Sequence, residues 1–131
     1  MKSVLLVDDD EDDREFFLAV LETIDESIRC ETAENGSVAL RNLTDGHRMP
    51  DLIFLDLNMP VMNGKQFLKE IKKHEHLENI PVIILSTSSD QATISETARL
   101  GAVDFITKPN KLSLLETRLK EIFANPTFIR E

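Results

Sequence analysis

Short apolar runs in this chain stop at residues with chemistry. Val4–Val7 leads directly into six acids, Asp8, Asp9, Asp10, Glu11, Asp12 and Asp13. Leu52–Leu55 ends at Asp56, with Asn58 two residues on; Val82–Leu85 ends at Ser86-Thr87-Ser88; Phe105-Ile106 leads through Thr107 to Lys108-Pro109. Two carboxylates about 4 Å apart repel by roughly 4 kcal/mol at an effective dielectric of about 20. The first turn of a helix welcomes acids, each by about 0.3–1 kcal/mol, and that accounts for Asp10 to Asp13. It does not account for Asp8 and Asp9, which fall at the end of the run itself. Positive charge belongs there, and an all-oxygen donor set suits a hard cation such as Mg²⁺, which takes one or two carboxylates, waters and a substrate phosphate.

The elements that must bring these residues together follow from the hydrophobic pattern. Val4–Val7, Leu52–Leu55 and Val82–Leu85 are unbroken, and Val103 with Phe105-Ile106 makes a fourth run. Such runs suit parallel strands covered on both faces. Ile28 to Thr32 alternates instead, as an edge strand does. Between the runs, apolar residues recur every three or four positions: Phe16, Val20 and Ile24; Leu40 and Leu43; Phe67, Leu68 and Ile71; Ile94 and Ala98; Leu112, Leu115, Leu119 and Ile122. Asn35-Gly36, Asn63-Gly64 and Leu100-Gly101 punctuate them. The order predicts five βα units and a parallel sheet flanked by helices. In such folds ligands gather beyond the carboxyl ends of the strands, where Asp8, Asp9, Asp56, Ser86 and Lys108 all fall.

The bulk numbers narrow the function classes. A chain of 131 residues has room for one domain and one core. A formal net charge of −9 argues against direct nucleic-acid binding, which needs clustered Lys and Arg. The first apolar run is too short for a signal peptide, and no stretch approaches the ~20 apolar residues of a membrane span. One cysteine, Cys30, allows no internal disulfide, so a cytoplasmic setting is the expectation. Cys30 reads as a small core residue, Ser89 or Asp90 as a helix cap, and His74 and His76 as part of a polar loop.

With VDDD at 7–10, FLDLNMPVMNG at 54–64, IILSTSS at 83–89 and FITKPN at 105–110, the chain resembles a response-regulator receiver domain, the phosphoacceptor part of two-component signalling. The resemblance runs from Lys2 to about Phe123 and implies a doubly wound (βα)5 flavodoxin-like α/β fold, with a five-stranded parallel sheet of order 2-1-3-4-5. It implies a receiver domain over 1–124 and a C-terminal tail over 125–131. Asp56 would accept a phosphoryl group from the phosphohistidine of a sensor histidine kinase or phosphotransfer protein. Asp8 and Asp9 would hold Mg²⁺ with Asp56 and the Asn58 backbone carbonyl. Lys108 would pair with the phosphoryl oxygens and Ser86 would donate a hydroxyl to them. Ser86 and Phe105 would form the switch, and the peptide between Lys108 and Pro109 would be cis. Chemistry supports these roles, since phosphoryl transfer needs positioning and charge neutralisation above all. The stretch from Ile84 to Asn110 is similar to single-domain regulators that partner sensor kinases, including phytochrome-type light sensors.

Four function classes compete. A flavodoxin-like cofactor module would need a phosphate-cradling loop after the first strand, and six acids there repel phosphate. An aspartyl phosphatase would want a second acid where Asn58 stands. A receiver-like scaffold that only binds proteins would be expected to lack Asp56 or Lys108, and both are present. The expectation is a stand-alone phosphoacceptor, not a turnover enzyme, whose readout is a downstream protein target, with no attached DNA-binding domain, no membrane and homodimerisation left open.

Overall fold

The computed structural model describes residues 2–45, 49–88, 90–109 and 111–125. Ser89, Asn110 and the tail beyond 125 lie outside the described residues. Among the described residues ten elements alternate: β1 (Ser3–Val7), α1 (Glu11–Ile24), β2 (Arg29–Ala33), α2 (Gly36–Thr44), β3 (Leu52–Leu55), α3 (Gly64–Ile71), β4 (Val82–Ser86), α4 (Gln91–Arg99), β5 (Asp104–Thr107) and α5 (Leu112–Ala124). All four strand pairings are parallel, in the expected order β2-β1-β3-β4-β5.

Each inner strand feeds two cores, which is why its sequence is apolar without alternation. Leu6 and Phe54 point to one face, where α1 supplies Phe17, Val20 and Leu21, and α5 supplies Leu115, Leu119 and Ile122. Leu5, Val7, Ile53 and Leu55 point to the other, under Ala39 and Leu43 of α2 and Phe67, Leu68 and Ile71 of α3. Phe17 and Phe54 meet with ring centroids 5.0 Å apart. Cys30 packs half-buried against the first core, and burial pushes its thiol up to about 12.

Two helical stripes and one strand run come out differently from the pattern. Helix α4 buries Thr97, while Ile94 is half-buried and Ala98 exposed. The Thr97 hydroxyl can be buried because it donates to the carbonyls of Thr93 and Ile94, at 3.0 and 3.1 Å. Leu112 opens α5 but stays exposed, so that helix's buried stripe begins at Leu115. Val103 precedes β5 and is also exposed.

Candidate functional site

Backbone pairing continues past the strand ends and carries the chemical residues with it. The Asp8 N–H donates to Ala33 O at 3.0 Å, extending the β1–β2 ladder by one residue. Asp8 Oδ1 accepts from the Asp10 N–H, and Asp10 then caps α1 by accepting from Asp12 and Asp13. Arg14 reaches back from the second turn to the Asp8 carbonyl at 2.8 Å. The acid run thus splits: Asp8 is buried in a turn, Asp9 faces solvent, and the rest start the helix.

Asp56 is held the same way, its N–H donating to Val7 O at 2.9 Å, which sets it beside Asp8. The loop that follows closes tightly. Gly64 donates to Leu57 O at 3.0 Å, and a Cβ at Gly64 would lie 2.3 Å from the Asp56 carbonyl oxygen. Only glycine allows that approach. Val61 sits at φ 67° between Pro60 and Met62, whose N–H donates to Pro60 O at 2.7 Å. This γ-turn of the rare positive-φ kind is strained for a β-branched residue. Asn63 and Gln66 close the N-terminus of α3 with a reciprocal capping box.

On the other side of Asp56, Ser86 is fully buried and its hydroxyl accepts from the Ser88 N–H at 3.2 Å. Lys108 donates its backbone N–H to Ser86 O at 2.7 Å, and its side chain enters the acid cluster. Lys108 Nζ lies 2.8 Å from Asp8 Oδ2, 2.8 Å from Asp13 Oδ2 and 3.7 Å from Asp56 Oδ2. The peptide between Lys108 and Pro109 is trans, not cis as the resemblance implied. Trans is the lower state of an X–Pro bond by about 0.5–1 kcal/mol, and the Lys108 geometry is reached without leaving it.

Electrostatics follow from this crowding. Burial pushes the Asp56 carboxyl up to about 6; the Asp8 and Asp9 charges add to the rise, while Lys108 and the Asn58 N–H oppose it. Burial works against the Lys108 ammonium, but bonds to Asp13 and Asp8 and the Asp56 charge outweigh it, so its pKa lies above the ordinary lysine value. One oxygen each from Asp8, Asp9 and Asp56 lies within 4.8 Å of the others. Three carboxylate oxygens, two on buried residues and one on an exposed residue, fit a hard divalent cation that enters from solvent. Among the described residues no other cluster of acids, His and Cys meets that test.

The structure therefore brings together Asp8, Asp9, Asp56 and Lys108, with Ser86 on the adjoining strand and Asn58 donating to Asp56. Phe105 is not at this rim. It is half-buried against the second core and lines a cavity of about 260 Å³ with Ile94, Thr97, Ala98, Ala102, Val103 and Asp104. Sequence reasoning missed Asp13, Arg14 and the close approach of Gly64. Nothing local separates Asp13 from Glu11 and Asp12; its partner is 95 residues away.

Comparison with known proteins identifies the family and the fold. The family model described as response regulator receiver domain matches residues 4–120. The chain is 36% identical over 135 residues to the probable C4-dicarboxylate response regulator DctR of Bacillus subtilis, covering 98% of this chain and 58% of that protein. It is 36% identical over 124 residues to a probable cyclic di-GMP phosphodiesterase of Vibrio cholerae, covering 94% of this chain and 27% of that one. The chain thus spans between about a quarter and three fifths of these curated relatives. Among solved structures, the phosphorylated cyanobacterial phytochrome response regulator RcpA superposes with a TM-score of 0.84 at 33% identity, covering 92% of this chain and 90% of that one. The Mn²⁺-bound form of response regulator Rcp1 superposes with a TM-score of 0.83 at 29% identity, covering 95% and 93%. No described helix is long and apolar enough to cross a membrane.

Proposed function

The chain belongs to the response regulator receiver domain family, and from that premise we propose that Asp56 is its phosphoacceptor in two-component signalling. The observation that carries this is a buried carboxylate clustered with two further acids, Asp8 and Asp9, and with Lys108 Nζ at 3.7 Å. An Asp56 oxygen attacks the phosphorus of a phosphohistidine on a sensor histidine kinase or phosphotransfer protein. The N–P bond breaks, the imidazole leaves, and an acyl phosphate remains on Asp56. Lys108 neutralises charge on the phosphoryl oxygens, and the Ser86 hydroxyl turns from the Ser88 N–H to donate to one of them.

Asp8, Asp9 and Asp56, with the Asn58 backbone carbonyl, would hold Mg²⁺, which when bound supplies charge neutralisation at the phosphoryl oxygens. The Mn²⁺-bound and phosphorylated relatives support both halves of this reading. The receiver unit is 1–124, with 125–131 outside it, and it works in the cytoplasm as a phosphoacceptor that does not turn over a separate substrate. Its readout is the face built by α4, β5 and α5, where Phe105 borders a cavity large enough to accept a changed rotamer. A downstream protein or a second copy of the chain binds that face.

Intact-protein mass spectrometry tests the acceptor. With acetyl phosphate and Mg²⁺, the wild-type chain gains one phosphoryl group and Asp56→Asn gains none. An equal gain in the variant moves the acceptor elsewhere; no gain in either leaves the protein-binding scaffold as the function.

A further inference from the structure

We propose that Asp13 is a positioning residue that competes with the phosphoryl group for Lys108; the inference rests on the reading of Asp56 as phosphoacceptor. A lysine ammonium has three N–H donors. Two of those on Lys108 go to carboxylates at 2.8 Å, Asp8 and Asp13, while Asp56 stands off at 3.7 Å. The lysine is therefore held beside the acceptor and not on it.

The two holding carboxylates differ in what they can do next. Asp8 belongs to the cation cluster, so a bound cation draws on the same carboxylate that Lys108 uses. Asp13 is outside that cluster, and it is the partner left to hold the lysine once the cation is in place. Its side chain is 44% exposed, against 2% for Asp8, so its pair with Lys108 is solvent-weakened and readily exchanged. A phosphoryl group on Asp56 brings about −1.5 to −2 charges and three strong acceptors, which one half-exposed carboxylate cannot match.

The sign of the effect follows. A contact made only before phosphorylation stabilises that state and lowers affinity for the phosphoryl group or its mimics. Giving it up also unties the first turn of α1 from the segment after β5, two parts of the chain that Asp13 and Lys108 join across 95 residues. Asp13 thereby sets how far the unphosphorylated form holds its lysine in reserve.

Beryllofluoride titration with saturating Mg²⁺ tests this, read by amide NMR because the chain has no Trp or Tyr to report by fluorescence. Asp13→Asn should tighten binding by roughly two- to fivefold, the size of a half-exposed ion pair. Asp13→Glu, which can re-form the pair, should return toward wild type. Asp12→Asn removes the same charge from the same turn, yet Asp12 is not among the partners of Lys108, and it should change binding little. Unchanged or weaker binding in Asp13→Asn overturns the proposal, as does an equal gain in Asp12→Asn, which would make the effect one of general charge. If the wild type does not bind beryllofluoride at all, the phosphoacceptor reading fails first and this inference with it.

Discussion

Helices α3 and α4 are neighbours, joined by an ion pair of 2.6 Å between Lys65 and Glu96, yet they are held in opposite ways. Helix α3 buries Gly64, Phe67, Leu68 and Ile71 and is closed by a capping box. Helix α4 buries only Thr97, leans on its own hydrogen bonds and on the Asp90 cap, and leaves a cavity against β5. Helix α3 is carried by apolar burial, α4 by local bonds. Segments with few buried apolar contacts open at low free energy. Gly64, against the Asp56 carbonyl, ties Asp56 to the firm helix, whereas Phe105 faces the yielding one. A charge arriving at Asp56 therefore meets a rigid support on one side and a movable element on the other.

The strongest test of that contrast is on the firm side. Phe67→Ala should lower unfolding free energy by about 3–5 kcal/mol, read by urea denaturation. Gly64→Ala should lower it by about 1–3 kcal/mol or more, because the new Cβ cannot coexist with the Asp56 carbonyl. It should also abolish phosphorylation. A Gly64→Ala protein of unchanged stability and activity would mean that the loop is looser than its contacts imply.

A second test uses pH. The Asp56 carboxyl is raised to about 6 from an ordinary 3.8. A raised acid contributes stability that is fully present below its unfolded value and lost as pH rises through its folded value. The metal-free protein should therefore lose on the order of 3 kcal/mol from this group between about pH 4 and pH 6 and above. Melting curves in chelator should show the loss, Asp56→Asn should remove it, and Mg²⁺ should restore stability at neutral pH by mass action. An Asp56→Asn protein with the wild-type pH slope would assign the slope to other groups.

On the yielding side, effects should be smaller. Ile94 is half-buried, so Ile94→Ala should fall below the roughly 2–5 kcal/mol of a fully buried site. Native-state hydrogen exchange should find the α4 amides opening well before those of α3; equal protection in the two helices would erase the distinction. Smallest of all should be Lys65→Met. Its partner Glu96 has a side chain only 41% exposed, yet the pair bridges two surface side chains and mainly holds that carboxyl below its ordinary value. Little movement of the melting temperature is expected, with faster α4 exchange as the visible sign.

Much of this was legible in the chain. Unbroken runs at Val4–Val7, Leu52–Leu55 and Val82–Leu85 determined the inner strands, because a strand covered on both faces has no polar side to show. Parallel order then brings their carboxyl ends to one rim, so the sequence alone points to Asp8, Asp9, Asp56, Ser86 and Lys108. The tertiary structure decided what periodicity does not encode. Asp13 and Asp12 are equivalent as helix-opening acids, and only the arrival of Lys108 from the far edge of the sheet separates them. Gly64 reads as turn punctuation until the Asp56 carbonyl is seen to occupy the space of its missing side chain. The spacing of Ile94 and Ala98 resembles a buried stripe, but burial depends on what faces a helix, and α4 faces a cavity. Local pattern specified which elements form and where their ends lie; contacts across the sheet selected which of the equivalent residues at those ends became neighbours.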